Sequence, residues 1–86
     1  MIPTTFQLFG IEIQVSRVLD LHEYGKAIPD EARILIREGL PDDLALQTFF
    51  HETLHMIAAY TGGTFDKESV VDTIACGMLE VIKQCR

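Results

Sequence analysis

Two histidines and a glutamate stand inside an apolar stretch of the sequence, FFHETLHMIAAY, at residues 49 to 60. His51, Glu52 and His55 have the spacing H-E-x-x-H. On a helix, positions i and i+4 lie one turn apart on one face, so both imidazoles can reach a single metal ion. Glu52 lies about 100° around the helix from His51, where its carboxylate can take a proton from a water made acidic by zinc. The motif therefore predicts two metal ligands and a catalytic base.

A histidine in a helix is more often a surface residue or a satisfied core residue than a ligand, so the surroundings of the motif matter. Leu44 and Ala58 flank the histidine pair around the predicted helix. Both imidazoles therefore point into an apolar band, where unpaired ring nitrogens are costly. This placement favours a metal site over a chance match.

A third ligand is expected downstream, because catalytic zinc usually has three protein ligands and one open position. At about 100° per residue, Glu68 falls inside the apolar stripe of the last predicted helix and Asp72 falls at its edge, whereas Glu80 lies on the polar face. The rest of that stripe is Val71, Ala75, Met78, Leu79 and Ile82.

Two assignments of these acids are open. In the one we favour, Glu68 binds the metal and Asp72 accepts the N–H of a ligating histidine. In the other, Asp72 is the ligand and Glu68 stabilises the first turn of the helix through the helix dipole.

The segment that precedes the motif has the pattern of β-structure, with strands expected over about residues 5–37. Apolar and polar residues alternate from Phe6, and the phase shifts at Gly10, which predicts a turn or bulge there. Gly25, Pro29 and Asp30 mark a loop or turn. The stretch ARILIRE, residues 32 to 38, then predicts a further strand.

Two helices follow the strands. Pro41 suits a first helical position, and the predicted motif helix runs over about residues 42–60 to a stop at Gly62-Gly63. Asp66 is a candidate N-cap for a closing helix over about residues 67–84. The order predicts one α+β domain over residues 1–86, with a small antiparallel or mixed β-sheet packed against two α-helices.

Composition narrows the class of protein. The chain has 86 residues, 48% of them hydrophobic, and a formal net charge of −6. The acidic balance argues against nucleic acid and against an anionic membrane surface as partners. We expect no membrane span and no signal peptide. Cys76 and Cys85 would lie roughly 13 Å apart on one helix, too far for a disulfide, so we expect free thiols and a cytoplasmic protein.

With His51, Glu52 and His55 followed by Glu68-x-x-x-Asp72, the sequence resembles the zincin metallopeptidases of the glutamate-zincin type. The resemblance implies one Zn²⁺ bound by His51, His55 and Glu68, with Glu52 as catalytic base and Asp72 beside a ligating histidine. It implies hydrolysis of peptide bonds in a peptide or protein substrate. Over roughly residues 20 to 86, the chain is also similar to short metallopeptidase-like proteins of phage and prophage genomes.

The chain departs from this family in two respects. The segment between His55 and Glu68 is shorter than in the thermolysin type, so the connecting loop must be tight. We expect no second lobe within these 86 residues to supply an oxyanion stabiliser, and His22 and Tyr24 are the candidates for that role. Tyr60 is expected on the far side of the helix from His51.

Such enzymes commonly bind a peptide along a sheet edge, and residues 32 to 38 are either that edge or a core strand. Two further interpretations compete with a peptidase. One is a non-catalytic zinc-binding structural or protein-interaction module of zincin ancestry, and the other is a metal-free helical interaction domain. A second copy or a protein partner is expected to cover apolar surface that so small a sheet leaves exposed.

Overall fold

The computed structural model describes residues 2–63 and 67–84. The chain forms four strands followed by two helices, which confirms the α+β class with a mixed sheet. The elements are β1 (Thr5–Leu8), β2 (Ile11–Val18), β3 (Gly25–Ile28), a single turn of 3-10 helix (Pro29–Glu31), β4 (Arg33–Arg37), α1 (Asp42–Thr61) and α2 (Glu68–Gln84). Asp66 and Cys85, for which an N-cap and a free thiol were predicted, lie outside the described residues.

The sheet has the strand order β1-β2-β4-β3. β1 and β2 form an antiparallel hairpin, β2 pairs with β4 in parallel, and β4 pairs with β3 antiparallel. The hairpin turn is Phe9-Gly10, with φ of 53° and 79°. Two successive left-handed residues match the twist of a two-residue hairpin, which confirms the turn predicted at Gly10.

β3 is a strand that the sequence pattern did not predict. Residues 25 to 28 were expected in a loop, but they form the edge of the sheet, and the turn follows only at Pro29. β4 is therefore an inner strand. Residues 32 to 38 were predicted as either a substrate-binding edge or a core strand, and the edge assignment is wrong. Gly25 is required where β3 meets α1, because a Cβ there would lie 2.5 Å from Thr48 Cγ2 and 3.1 Å from the carbonyl oxygen of Leu35.

α1 covers one face of the sheet and closes the main core. The aromatic rings of Phe6 and Phe49 meet edge to face at 5.3 Å. At the end of the helix, the Tyr60 hydroxyl donates to the carbonyl of Pro29 at 2.9 Å, and the Tyr60 side chain packs against the main core. The buried members of this core are Ile13, Val15, Ile34, Ile36, Leu46, Phe49 and Met56.

The ends of α1 follow the predicted signals. Asp42 and Asp43 occupy the first turn, directly after Pro41, where negative charge stabilises the helix dipole. Gly62, with φ of 65°, ends the helix in the left-handed conformation, which a residue without Cβ adopts freely. α1 is thus fixed at both ends, and the histidine motif lies in its middle.

α2 packs against α1 through a separate, smaller core, in which Leu54 of α1 meets Val71 and Ala75. Two residues of its predicted apolar stripe remain largely in solvent, because Met78 and Ile82 are 38% and 40% exposed. The helix crosses α1 so that only part of its wide apolar arc finds a partner. No helix in the described part of the chain is long and apolar enough to cross a membrane.

Candidate metal centre

The two motif histidines point their Nε2 atoms at each other from successive turns of α1. These atoms are 3.1 Å apart, and both side chains are partly buried. Since i and i+4 share one face of a helix, the spacing of His51 and His55 alone produces this approach. Two nitrogen donors are therefore presented to one point.

Glu68, the first residue of α2, brings a carboxylate to the same point. Its Oε1 lies 2.6 Å from His55 Nε2 and its Oε2 lies 3.3 Å from His51 Nε2. One ligand atom from each of these three residues falls within a 4.8 Å group. The Glu68 side chain is 72% exposed, so this side of the group is open to solvent.

Asp72 reaches the other nitrogen of one histidine. Its Oδ1 lies 2.6 Å from His51 Nδ1. An ionised carboxylate only accepts hydrogen bonds, so Nδ1 of His51 carries the proton. In the neutral ring, the lone pair of His51 then belongs to Nε2, the atom that faces His55 and Glu68. Asp72 thus fixes the ring and its tautomer in the manner of residues behind metal ligands.

The donor set of His51, His55 and Glu68 fits a divalent cation. Without one, the short contact of His55 Nε2 to Glu68 requires a proton on that nitrogen, and the lone pair of His51 Nε2 points toward a carboxylate oxygen at 3.3 Å. A cation among the three groups satisfies all of them at once. Two imidazole nitrogens and one carboxylate oxygen are a common catalytic zinc set, and they also suit iron or manganese.

Glu52 lies beside the group and is 8% exposed. Its Oε2 is 3.9 Å from His51 Nε2. Burial raises the pKa of the Glu52 carboxyl above its usual range, and the charge of Glu68 adds to this rise. The charges of His51 and His55 and a hydrogen bond from the Ala27 backbone act in the opposite direction. The carboxyl is thus held between α1 and β3, within reach of the metal group but outside it.

A cleft of about 390 Å³ opens beside these residues. One wall is the motif face of α1, and the other is the edge strand β3. The lining residues are Glu23, Gly25, Lys26, Ala27, Pro29, His51, Glu52, His55, Ala59 and Glu68. The site therefore has direct access from solvent along a sheet edge.

The free edge of β3 presents backbone groups to this cleft. The N–H of Arg37 donates to the carbonyl of Tyr24, and hydrogen-bonded pairs alternate along an antiparallel ladder. In the observed register, Lys26 and Ile28 therefore turn their backbone groups toward β4, whereas Gly25 and Ala27 turn theirs outward. Glu52 accepts a hydrogen bond from the outward N–H of Ala27. The other outward groups of β3 lie on the side away from β4, where the described part of the chain places no further strand.

The structure places the two candidate oxyanion stabilisers elsewhere. The His22 carbonyl accepts a hydrogen bond from Arg37, whose guanidinium lies 4.8 Å from the centre of the Tyr24 ring. Neither His22 nor Tyr24 lines the cleft. The sequence analysis did not identify Gly25 and Ala27 as site residues. Gly25 was interpreted as part of a turn, and Ala27 contributes through its backbone, which has no sequence signal.

Comparison with protein-family models, with curated proteins and with solved structures finds no significant match for this chain. What can be said of its function therefore rests on the geometry of the metal group, on Glu52 and on the cleft.

Proposed function

We propose that this protein is a minimal zinc-dependent metallopeptidase of the zincin type that acts in the cytoplasm. The observation that supports the proposal is the convergence of His51 Nε2, His55 Nε2 and the Glu68 carboxylate within 4.8 Å, with Glu52 buried beside them at the cleft. Asp72 contacts Nδ1 of His51 rather than the common point. Three ligands then leave an open position, as catalytic zinc sites do and structural sites do not.

The roles of the residues follow from their positions. Zinc, when bound by His51, His55 and Glu68, supplies a Lewis acid that lowers the pKa of water to near neutrality. Glu52 is the proton acceptor, and its carboxylate is oriented by the Ala27 backbone on one side and by the motif helix on the other. Asp72 holds the His51 ring so that Nε2 faces the common point.

The free edge of β3 is the proposed binding site for the substrate. An extended peptide can pair as a fifth strand with the outward N–H and carbonyl of Gly25 and with the outward carbonyl of Ala27, while the Ala27 N–H stays with Glu52. Such a strand would run past Glu52 along the cleft, which places a peptide bond next to the proton acceptor. This pairing recognises backbone, so it favours unfolded or loop segments over folded protein.

A non-catalytic zinc module is the second candidate, and one observation favours it. α2 buries only Val71 and Ala75, so a metal bridging α1 and α2 would add a large share of the attachment of α2. Metals commonly have this role in small domains. The two candidates differ in what Glu52 does, because a structural site needs no proton acceptor.

The test combines metal analysis with a peptide library on the wild type and three variants. We expect the wild type to contain one zinc per chain and to cleave peptides. Glu52→Gln should retain the zinc and lose cleavage, and His55→Ala should lose both. Glu80→Gln, an exposed carboxylate of α2 outside the site, is the matched control and should behave as wild type. Full zinc occupancy without cleavage would replace the peptidase by the structural module, and absence of stoichiometric metal would refute both.

A further inference from the structure

One face of the sheet is left uncovered by both helices of the described residues 2–63 and 67–84. On β4, the buried Ile34 and Ile36 alternate with Arg33, Leu35 and Arg37, so these three point away from the helices. On the neighbouring strand β3, Lys26 pairs with Leu35 and shares this open face. We call Lys26, Arg33 and Arg37, arranged around Leu35, the cationic patch.

The patch concentrates positive charge on an acidic chain. The protein has 13 acidic and 7 basic residues among Asp, Glu, Lys and Arg, and three of those seven surround one leucine. Among the strand residues that share the open face, only Glu12 is acidic. Because Arg33 and Arg37 are the diagonal neighbours of Lys26, their side chains leave the sheet about 7–8 Å from it.

No carboxylate of the described residues 2–63 and 67–84 lies within ion-pair distance of the three cations. Arg37 is held in place instead, since it donates to the carbonyl of His22 at 3.2 Å and lies over the ring of Tyr24. Lys26 and Arg33 are exposed. The patch therefore offers one fixed cation, two free ones and a half-buried apolar side chain at the centre.

We propose that the cationic patch docks an acidic segment of a partner protein, in which an apolar side chain is flanked by carboxylates. Alternate side chains of an extended strand lie roughly 7 Å apart, so carboxylates at positions i and i+4 match Arg33 and Arg37 while the apolar residue between them meets Leu35. Lys26 contributes a third charge from the side.

The charge balance favours an acidic peptide over nucleic acid. Nucleic-acid binders typically neutralise six or more phosphates, whereas the patch holds three cations on a chain of net charge −6. A short acidic segment uses the patch without extending over the acidic remainder of the surface. The proposal does not depend on the metal site.

The test is an NMR titration with a short synthetic peptide that contains the sequence ESLSE, with KSLSK as the peptide control. We expect shifts at Lys26 and β4 for ESLSE only, weakening as salt rises. Arg33→Glu should lower the affinity about tenfold, because it removes one exposed pair and adds a repulsion. Lys26→Glu is a second variant of the same kind. Arg17→Glu is the matched control, since Arg17 is exposed on the same sheet but shares the helix side with Ile36.

Three results would overturn the proposal. An equal loss of affinity in Arg17→Glu would mean that the peptide senses net charge only. Tighter binding of an oligothymidine than of ESLSE would make nucleic acid the occupant. Self-association of the wild type that Arg33→Glu abolishes would make a second copy the occupant.

Discussion

Removal of the metal should detach α2 while the sheet and α1 stay folded. α2 is joined to the rest by a small core of Leu54, Val71 and Ala75 and by the polar contacts of Glu68 and Asp72 with the histidines. Toward its C-terminal end, Leu79 packs against the main core and Lys83 forms an exposed ion pair with Asp43. The main core has all of its buried members between residues 13 and 56. The proposed metal would therefore matter more for the attachment of α2 than for the folding of α1 and the sheet.

The expected energies make the attachment of α2 sensitive to the proposed metal. The small core contributes only modestly to the attachment of α2, because burial of Val71 and Leu54 is worth about 1.5–3 kcal/mol each. A ligand at a thousandfold excess over its dissociation constant adds about 4.1 kcal/mol, which corresponds to about a thousandfold in an opening equilibrium.

Hydrogen exchange with and without zinc measures this directly. In EDTA, we expect the amides of α2 to exchange far faster than those of β2 and β4, and we expect zinc to slow exchange in α2 by about a thousandfold. Glu68→Gln should remove most of the effect of zinc, and Glu80→Gln should leave it intact. Loss of protection in α2 and the sheet together on chelation would refute the reasoning, because it would mean that the two cores unfold as one unit.

Three further predictions concern stability. Gly25→Ala should destabilise the fold by about 1–3 kcal/mol in urea denaturation because its Cβ meets Thr48, whereas Gly77→Ala, with nothing within 4 Å, should stabilise α2 by about 0.5–1 kcal/mol; equal effects would contradict the clash. In EDTA, Glu52→Gln should stabilise the protein, and the gain should grow as pH rises above the usual carboxyl range, because burial raises the pKa of Glu52 in the folded state and its ionisation therefore opposes folding; a gain that does not change with pH would disprove this. Phe9→Gly should raise the melting temperature, since Phe9 is 61% exposed in a left-handed turn, and a lowered melting temperature would point to a contact of the ring.

The sequence predicted the parts of the fold that local chemistry determines. Alternation identified β2 and β4, Pro41 and Gly62 bounded α1, and the i, i+4 spacing of the histidines determined their approach. It failed at β3, where Gly25, Lys26 and Ala27 have low strand propensity and the strand is ordered by pairing with β4. The sequence also placed Met78 in the apolar stripe of α2, yet this residue is largely exposed. Helical periodicity shows how wide an apolar stripe is but not how much of it a neighbouring element covers.

For the site, the sequence did not decide whether Glu68 or Asp72 is the third metal ligand, because both fall near the same face of α2. Only the crossing of the two helices assigns them to different nitrogens of the histidine pair. The backbone contribution of Ala27 had no sequence signal, since any residue type supplies the same N–H. The role of Glu68 as a ligand remains a prediction that metal analysis of its variants can decide.

The separation of the two cores has a consequence for the order of assembly during synthesis. Every buried member of the main core precedes α2 in the chain, and domains form from the N-terminus as the ribosome proceeds. The sheet can therefore close on α1 while α2 is still being made, and His51 and His55 are then already fixed one turn apart. A cation bound by this pair would then bind Glu68 as α2 emerges, and metal binding would direct the last step of folding, the docking of α2.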